Sequence, residues 1–322
     1  MSEAVAVIGA GAWGTALAVR LAEGGARVHL WARDPALAEA MAVARENRAR
    51  LPGVALPPGV MPTADLAEAV DNARAVLLAV PVAPLRGVAG QLAACWPGAA
   101  PAIVCAKGFE AAGHALPHEV LAACLPGVPL GVLTGPNFAA EVAAGLPAAA
   151  VLAGAQAPLS LPKLRLYASD DLVGAAVGGA LKNVIAIAAG VVIGAGLGEN
   201  ARAALITRGL AETARLAVAM GGRAETVAGL SGMGDLVLTC TGAKSRNYSL
   251  GVALGQGRDL GTILAGRTMA TEGVGTAPAA VARARAAGVE LPVSAAVAAL
   301  LAGEASVAEL VARLLARPVG EE

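Results

Sequence analysis

Gly9-Ala10-Gly11-Ala12-Trp13-Gly14 stands between an apolar run, residues 4–8, and a helix-forming stretch that ends at Gly24-Gly25. No other segment limits the fold so tightly. Each glycine in this spacing has a task. Gly9 permits a tight turn, Gly11 lets backbone approach a pyrophosphate, and Gly14 lets the helix lie close on the strand. In a chain with 41 glycines such a run alone would say little. Here a strand precedes it, a helix follows, and a second apolar run begins at once, which is the context of a dinucleotide-binding turn. The helix N-terminus would add free N–H groups and a positive dipole for the phosphates.

Further short apolar runs at residues 26–32, 76–80, 103–106, 130–133 and 148–152 alternate with Ala-rich helical stretches. Their continuous apolar character predicts a parallel sheet covered on both faces. From about Asp171 the chain reads as helix after helix with Gly-rich breaks. The expected architecture is α/β: an N-terminal doubly wound, Rossmann-like, mainly parallel sheet followed by an all-α C-terminal domain. The boundary is placed near residue 175, giving a dinucleotide-binding domain over 1–175 and a helical substrate-binding and catalytic domain over 176–322. Residues 317–322 are expected to fray.

Composition narrows the function. Hydrophobic residues make up 57% of the chain and aromatics only 2%, so the core must be small side chains packed closely. Lys plus Arg and Asp plus Glu are each 24, and no basic run exists, which excludes a nucleic-acid surface. Cys95, Cys105, Cys124 and Cys240 form no CxxC pair, as expected of reduced thiols in a cytoplasmic protein. Glu3 stands where a signal peptide would need basic residues. The apolar stretch 172–198 is interrupted by Lys182, and its uncharged part is too short to span a bilayer, so a buried helix is expected. The sequence is compatible with a homodimer and does not specify one.

Only Lys107, Lys163, Lys182 and Lys244 are lysines; every other basic residue is arginine. Lysine can lose its proton when buried and arginine effectively cannot. Lys182 lies in Gly179-Ala180-Leu181-Lys182-Asn183-Val184, apolar on all sides, and needs a carboxylate or a substrate anion there. Such a lysine can exchange a proton with a carbonyl oxygen as hydride reaches its carbon. A snorkelling lysine is the plain alternative. Asp235, in Gly232-Met233-Gly234-Asp235-Leu236, is either the N-cap of a helix or the partner of Lys182. Ser245 can cap a helix whose start, with Arg246 and Asn247, would cradle a phosphate.

At the end of the second strand stand Arg33, able to pair with a ribose 2′-phosphate, and Asp34, able to bind a hydroxyl or to cap Pro35. That favours NADP, with NAD accepted. Lys107-Gly108 and Thr134-Gly135-Pro136-Asn137 follow two other strands, at the edge where open α/β sheets bind ligands. His114 and His118 are separated by Pro117 and match no zinc pattern; no metal is expected.

Taken in order, Gly9–Ala18, Lys107-Gly108, Gly135-Pro136-Asn137-Phe138-Ala139, Leu181-Lys182-Asn183-Val184, Gly234-Asp235-Leu236, Ser245-Arg246-Asn247 and Glu272-Gly273 resemble the NAD(P)-dependent glycerol-3-phosphate dehydrogenase family. The resemblance implies reversible reduction of dihydroxyacetone phosphate, a phosphate ester, to sn-glycerol 3-phosphate for glycerophospholipid synthesis. It implies Lys182 as proton donor and acceptor, with Lys107, Gly135, Asn137, Asp235, Ser245, Arg246 and Asn247 around the substrate. Ala12, Trp13, Arg33, Lys107, Ala139, Arg246, Ala270 and Glu272 would touch the cofactor, NADP or NAD. The family often has Ser or Thr at Asn137 and an aliphatic residue such as Val at Ala270. A β-hydroxyacid dehydrogenase and a dinucleotide-sensing regulator are the competing readings. The first would take a carboxylate substrate, and the second would have no need of a buried lysine.

Overall fold

The computed structural model describes residues 4–267 and 270–318. Most of the segment expected to fray, residues 319–322, lies outside them. The chain forms two compact units, residues 1–107 with 116–176, and residues 108–115 with 177–322.

The first unit is an eight-stranded sheet: β1 (Ala4–Ile8), β2 (Arg27–Trp31), β3 (Val60–Thr63), β4 (Ala73–Leu78), β5 (Ala102–Val104), β6 (Leu130–Thr134), β7 (Ala148–Gly154) and β8 (Leu164–Ser169), in the order β3-β2-β1-β4-β5-β6-β7-β8. Its helices are α1 (Ala12–Glu23), α2 (Pro35–Ala44), α3 (Leu66–Val70), α4 (Val82–Leu92), α5 (Pro117–Cys124) and α6 (Ala139–Ala143). All five residues of β1 are buried, which is why its run is unbroken by polar residues. The strand order reverses between β1 and β4, so the crevice beyond their carboxyl ends is the natural ligand position.

Two strands escape a reading of apolar runs. β3 contains Pro62, and β8 alternates buried Leu164 with exposed Arg165. Both are edge strands, where a missing N–H or a polar side chain is tolerated. The sheet is also not wholly parallel, because β7 runs antiparallel to β6. The connecting α6 has only five residues, too short to carry the chain back along the length of a strand, so β7 returns from the same end.

The second unit is helical: α7 (Leu172–Gly194), which enters it at Val177, α8 (Glu199–Ala219), α9 (Ala224–Ala228), a π-helical turn (Leu230–Gly234), α10 (Asp235–Cys240), α11 (Arg246–Gly255), α12 (Leu260–Ala265), α13 (Glu272–Ala286), α14 (Pro292–Ala302) and α15 (Val307–Leu315). Asp171 caps α7 by accepting from the Gly174 N–H at 2.8 Å. The helix ends where Gly196 adopts φ +72° and Leu197 N–H reaches back to the Val192 carbonyl. At 23 residues α7 is long and apolar enough to cross a membrane, but 89% of its most apolar window is buried within the fold. It is a core helix, and burial rather than length decides this.

α7 and α11 meet through four glycines. A Cβ at Gly190 would lie 2.1 Å from the Tyr248 carbonyl oxygen, and one at Gly194 would lie 2.1 Å from that of Val252. On the facing helix, a Cβ at Gly251 would lie 2.0 Å from the Ile187 oxygen, and one at Gly255 would lie 2.4 Å from the Val191 oxygen. The backbones therefore touch directly over two turns of each helix.

A buried carboxylate fastens α8 to α14. Glu212 accepts from the Val293 N–H at 2.5 Å, and from the Ser294 N–H and hydroxyl at 3.2 and 3.1 Å. These are first-turn donors of α14, for which Leu291 and Pro292 offer no side-chain cap. Burial raises the Glu212 carboxyl above its usual range against the pull of those donors. The folded chain therefore binds this proton more tightly than the unfolded one. The side chain's contribution to stability is fullest below the ordinary carboxyl range and declines as pH rises through the raised value. Glu212→Ala, which strands three donors, should lower stability by about 3 kcal/mol in urea titrations at neutral pH. A loss under about 1 kcal/mol would show that the cap is dispensable.

Candidate active site

In the first unit the glycine turn separates fold requirements from ligand requirements. Gly9 has φ +118°, and a Cβ there would sit 2.9 Å from the Ala79 carbonyl group. A Cβ at Gly14 would sit 1.9 Å from the Gly9 oxygen. These two must be glycine for the chain to fold. Gly11 is different. Its φ of −74° and ψ of 177° suit any residue, and among the described residues beyond its chain neighbours no atom lies within 4 Å of a Cβ placed there. Its bareness leaves room for something outside the protein. Gly11 precedes α1 and has no side chain, so no N-cap side chain takes up the first N–H groups of that helix. An open cradle beside free N–H groups fits the diphosphate of a dinucleotide.

Ala12 and Trp13 open α1 and are half-buried. Burial pushes the Cys105 thiol up to about 12. Cys105 thus packs as a neutral thiol, and all four cysteines are free. Arg33 is exposed just beyond β2. Of the two roles open to Asp34, the structure gives it the cap, accepting from the Ala36 N–H at 3.0 Å.

The loops after β5 and β6 meet. Lys107 Nζ donates to the Gly135 carbonyl at 3.0 Å. Gly135, at φ +147°, would bring a Cβ within 2.9 Å of the Ala150 Cα. The Asn137 carboxamide donates to the Ala149 carbonyl at 3.2 Å, so its N–H₂ serves the backbone of β7. Ala139 begins α6.

In the second unit Lys182 lies within α7 with its side chain 13% exposed, and Asp235 lies at the start of α10 with its side chain 1% exposed. Lys182 Nζ donates to Asp235 Oδ1 at 2.6 Å and to Thr239 Oγ1 at 3.1 Å. The Thr239 hydroxyl in turn lies 2.6 Å from the Asp235 carbonyl oxygen. Asp235 is not an N-cap. Gly234 before it already has helical φ and ψ, because the π-helical turn runs straight into α10. Glycines seat that turn. A Cβ at Gly232 would strike the Val227 oxygen at 2.0 Å, and one at Gly178, one turn before Lys182, would lie 2.9 Å from the Ser231 oxygen.

Ser245 caps α11 by accepting from the Tyr248 N–H at 3.2 Å. Arg246 donates to the Ala270 carbonyl at 2.7 Å, which joins two of the expected cofactor residues. Partial burial lowers the Arg246 guanidinium from its ordinary value, and the Glu272 charge opposes this. Asn247 is fully engaged. Its Nδ2 donates to Asn183 Oδ1 at 2.8 Å, and its Oδ1 accepts from the Gly273 N–H at 3.0 Å. It ties α7 to the first turn of α13, beside Glu272.

Three residues at these places were not singled out by the sequence. Thr239 is one helical turn after Asp235, a spacing that puts both on one face. Asn183 adjoins Lys182. Arg267 donates to the Arg246 carbonyl at 2.7 Å and to Ser249 Oγ at 3.0 Å; nothing in its local sequence signals this. Among the described residues no group of three metal-binding side chains exists. His118 lies inside α5, and His114 lies before its Pro117 start.

Comparison with known proteins gives a consistent set. The family model for the NAD-dependent glycerol-3-phosphate dehydrogenase N-terminus matches residues 4–159, and the one for the C-terminus matches residues 171–312. A glycerol-3-phosphate dehydrogenase (NAD(P)+) of Rhodospirillum rubrum is 52% identical, covering 99% of this chain and 93% of its own length. One of Acidiphilium cryptum is 55% identical over 98% of both. The crystal structure of a glycerol-3-phosphate dehydrogenase from Coxiella burnetii superposes with a TM-score of 0.93 at 36% identity, covering 98% of this chain and 99% of that one.

Proposed function

This chain belongs to the NAD-dependent glycerol-3-phosphate dehydrogenase family, and from that premise we propose how its own residues interconvert dihydroxyacetone phosphate and sn-glycerol 3-phosphate. It is an NAD(P)-dependent oxidoreductase. The observation that carries the reading is the sunken Lys182–Asp235–Thr239 cluster. A nicotinamide, when bound, supplies or accepts the hydride. Everything else falls to the protein.

Lys182 donates its proton to the C2 oxygen of dihydroxyacetone phosphate during reduction and takes it back during oxidation. Asp235 and Thr239 hold the ammonium in place and fix its direction. Arg246 and the N-terminus of α11 hold the phosphate ester, and that remote binding orients the carbonyl. Residues 1–175 bind the dinucleotide, with its pyrophosphate on Gly9, Gly11, Ala12, Trp13 and Gly14 and its ribose near Arg33. Residues 176–322 carry the substrate and proton-transfer groups. Lys107 and Gly135 serve the substrate through their joined loops. The carboxamide of Asn137 is already committed to β7, so Asn137 serves through its backbone. Ala139, Ala270 and Glu272 complete the cofactor contacts, and Ser245 and Asn247, whose side chains are held by the protein, serve the substrate through the backbone at the start of α11. The enzyme would work in the cytoplasm, supply glycerophospholipid synthesis, and assemble as a homodimer, which light scattering can decide.

Initial rates with dihydroxyacetone phosphate and each reduced nicotinamide, side by side, test the reading. Turnover with either supports it. No turnover with both, together with turnover of a β-hydroxyacid, would overturn it. Inorganic phosphate should inhibit competitively against the substrate. Arg246→Ala should raise the KM for dihydroxyacetone phosphate about a hundredfold, as loss of a charge-assisted contact to phosphate implies, and change kcat/KM for unphosphorylated dihydroxyacetone far less. Equal losses on both substrates would remove Arg246 from the phosphate site.

A further inference from the structure

We infer that Asn47 is a positioning residue that locks the peptide between Ala10 and Gly11, so that the Gly11 N–H stays turned towards the cofactor's pyrophosphate. The inference rests on the cofactor reading above and goes beyond it, since Asn47 touches no part of the glycine turn's open face in that reading.

Asn47 is completely buried, in the connection between α2 and β3. Its Nδ2 donates to the Ala10 carbonyl at 3.0 Å and to Thr15 Oγ1 at 2.8 Å. The two partners bracket Gly11-Ala12-Trp13-Gly14, the residues whose N–H groups would face the phosphates. In a planar trans peptide the C=O of Ala10 and the N–H of Gly11 point in opposite directions. Holding the one fixes the other. Glycines on both sides of Ala10 make rotation of this peptide easy. If it turned over, a carbonyl oxygen would face the anion where a donor is required.

The strap that carries Asn47 is fastened independently. Arg45, at φ 51°, reaches the carbonyls of Leu56, Pro57 and Val60. Glu46 bridges to Ala55 and accepts from the Gly53 N–H. Leu51 packs against Ala16 and Ala143. Asn47 Oδ1 has no partner among the described residues, so the carboxamide is present for its N–H₂. The reverse amide orientation would set oxygen against oxygen at Ala10. A side chain kept only to hold the strap would be better apolar than polar with a stranded oxygen.

The test is binding, without turnover. NADH affinity is titrated by fluorescence, with adenosine diphosphate ribose and adenosine as competitors; only the first carries the pyrophosphate. Asn47→Ala should weaken NADH and adenosine diphosphate ribose about tenfold each and leave adenosine within about twofold. Where the alanine variant does not fold, Asn47→Leu fills the space without donating and should give the same pattern. Unchanged NADH affinity overturns the inference. So does an equal loss for adenosine, which would mean a general loss of loop shape. A wild-type chain that binds neither NADH nor NADPH would instead sink the cofactor reading itself.

Discussion

Lys182→Ala lowers turnover of dihydroxyacetone phosphate at least about a hundredfold, while NADH affinity stays within about twofold. A positioned general acid is worth roughly a hundred- to ten-thousandfold, and among the described residues Lys182 is the ammonium held by a carboxylate inside the second unit's core. The substitution also takes the ammonium away from Asp235, whose side chain is 1% exposed. Breaking a buried pair on one side is strongly destabilising, so loss of activity alone would be ambiguous. Lys182→Met combined with Asp235→Asn settles this. The methionine keeps the length of the stem, and the amide removes the buried negative charge. That double variant should melt near the wild type and remain as inactive as the single one. Turnover within tenfold of wild type in either variant would take Lys182 out of the proton transfer.

The second large effect is on folding. Gly190→Val places carbon where the Tyr248 carbonyl oxygen already stands 2.1 Å from a bare Cβ. Neither partner yields readily, because both are helix backbone, Gly190 within α7 and Tyr248 in the first turn of α11. The variant should lose roughly 4 kcal/mol or more, enough to leave a marginal domain unfolded at room temperature. Gly87→Ala is the contrast. Gly87 is exposed within α4, and among the described residues beyond its own stretch of helix no atom lies within 4 Å of a Cβ there. It should gain about 0.5–1 kcal/mol from helix propensity and reduced chain entropy. If denaturant titration found the two substitutions equivalent, direct helix contact between α7 and α11 would be wrong. The contact matters for chemistry because α7 carries Lys182 and α11 begins with Arg246.

The sequence was most legible where the physics is local. β1 is an apolar run because both faces of the sheet are covered. Gly9 and Gly14 are readable because their spacing is that of one turn and one close approach. Ser245 signals its helix because a cap acts within three residues. Lys182 stood out through scarcity and greasy surroundings. Legibility failed where a neighbour is distant in the chain. Thr239 and Asn183 take their roles from residues more than fifty positions away. Asn47 looks like any loop asparagine until the strap is folded over Ala10. β3 and β8 were hidden because edge strands are released from the rules that mark central ones.

What this sequence determined alone is the plan: a glycine turn after the first strand, a sheet built before a bundle of helices, and a lysine whose helix is otherwise apolar but for Asn183. These follow from periodicity, backbone freedom and the cost of burying charge, all of which act within a few residues. Only tertiary structure decided that β7 runs backwards, that Asp235 is the lysine's partner rather than a cap, that Asn137 and Asn247 spend their side chains on the protein, and that four glycines weld α7 to α11. Each of these depends on which surfaces meet after the chain has folded back on itself, and no local pattern encodes that meeting.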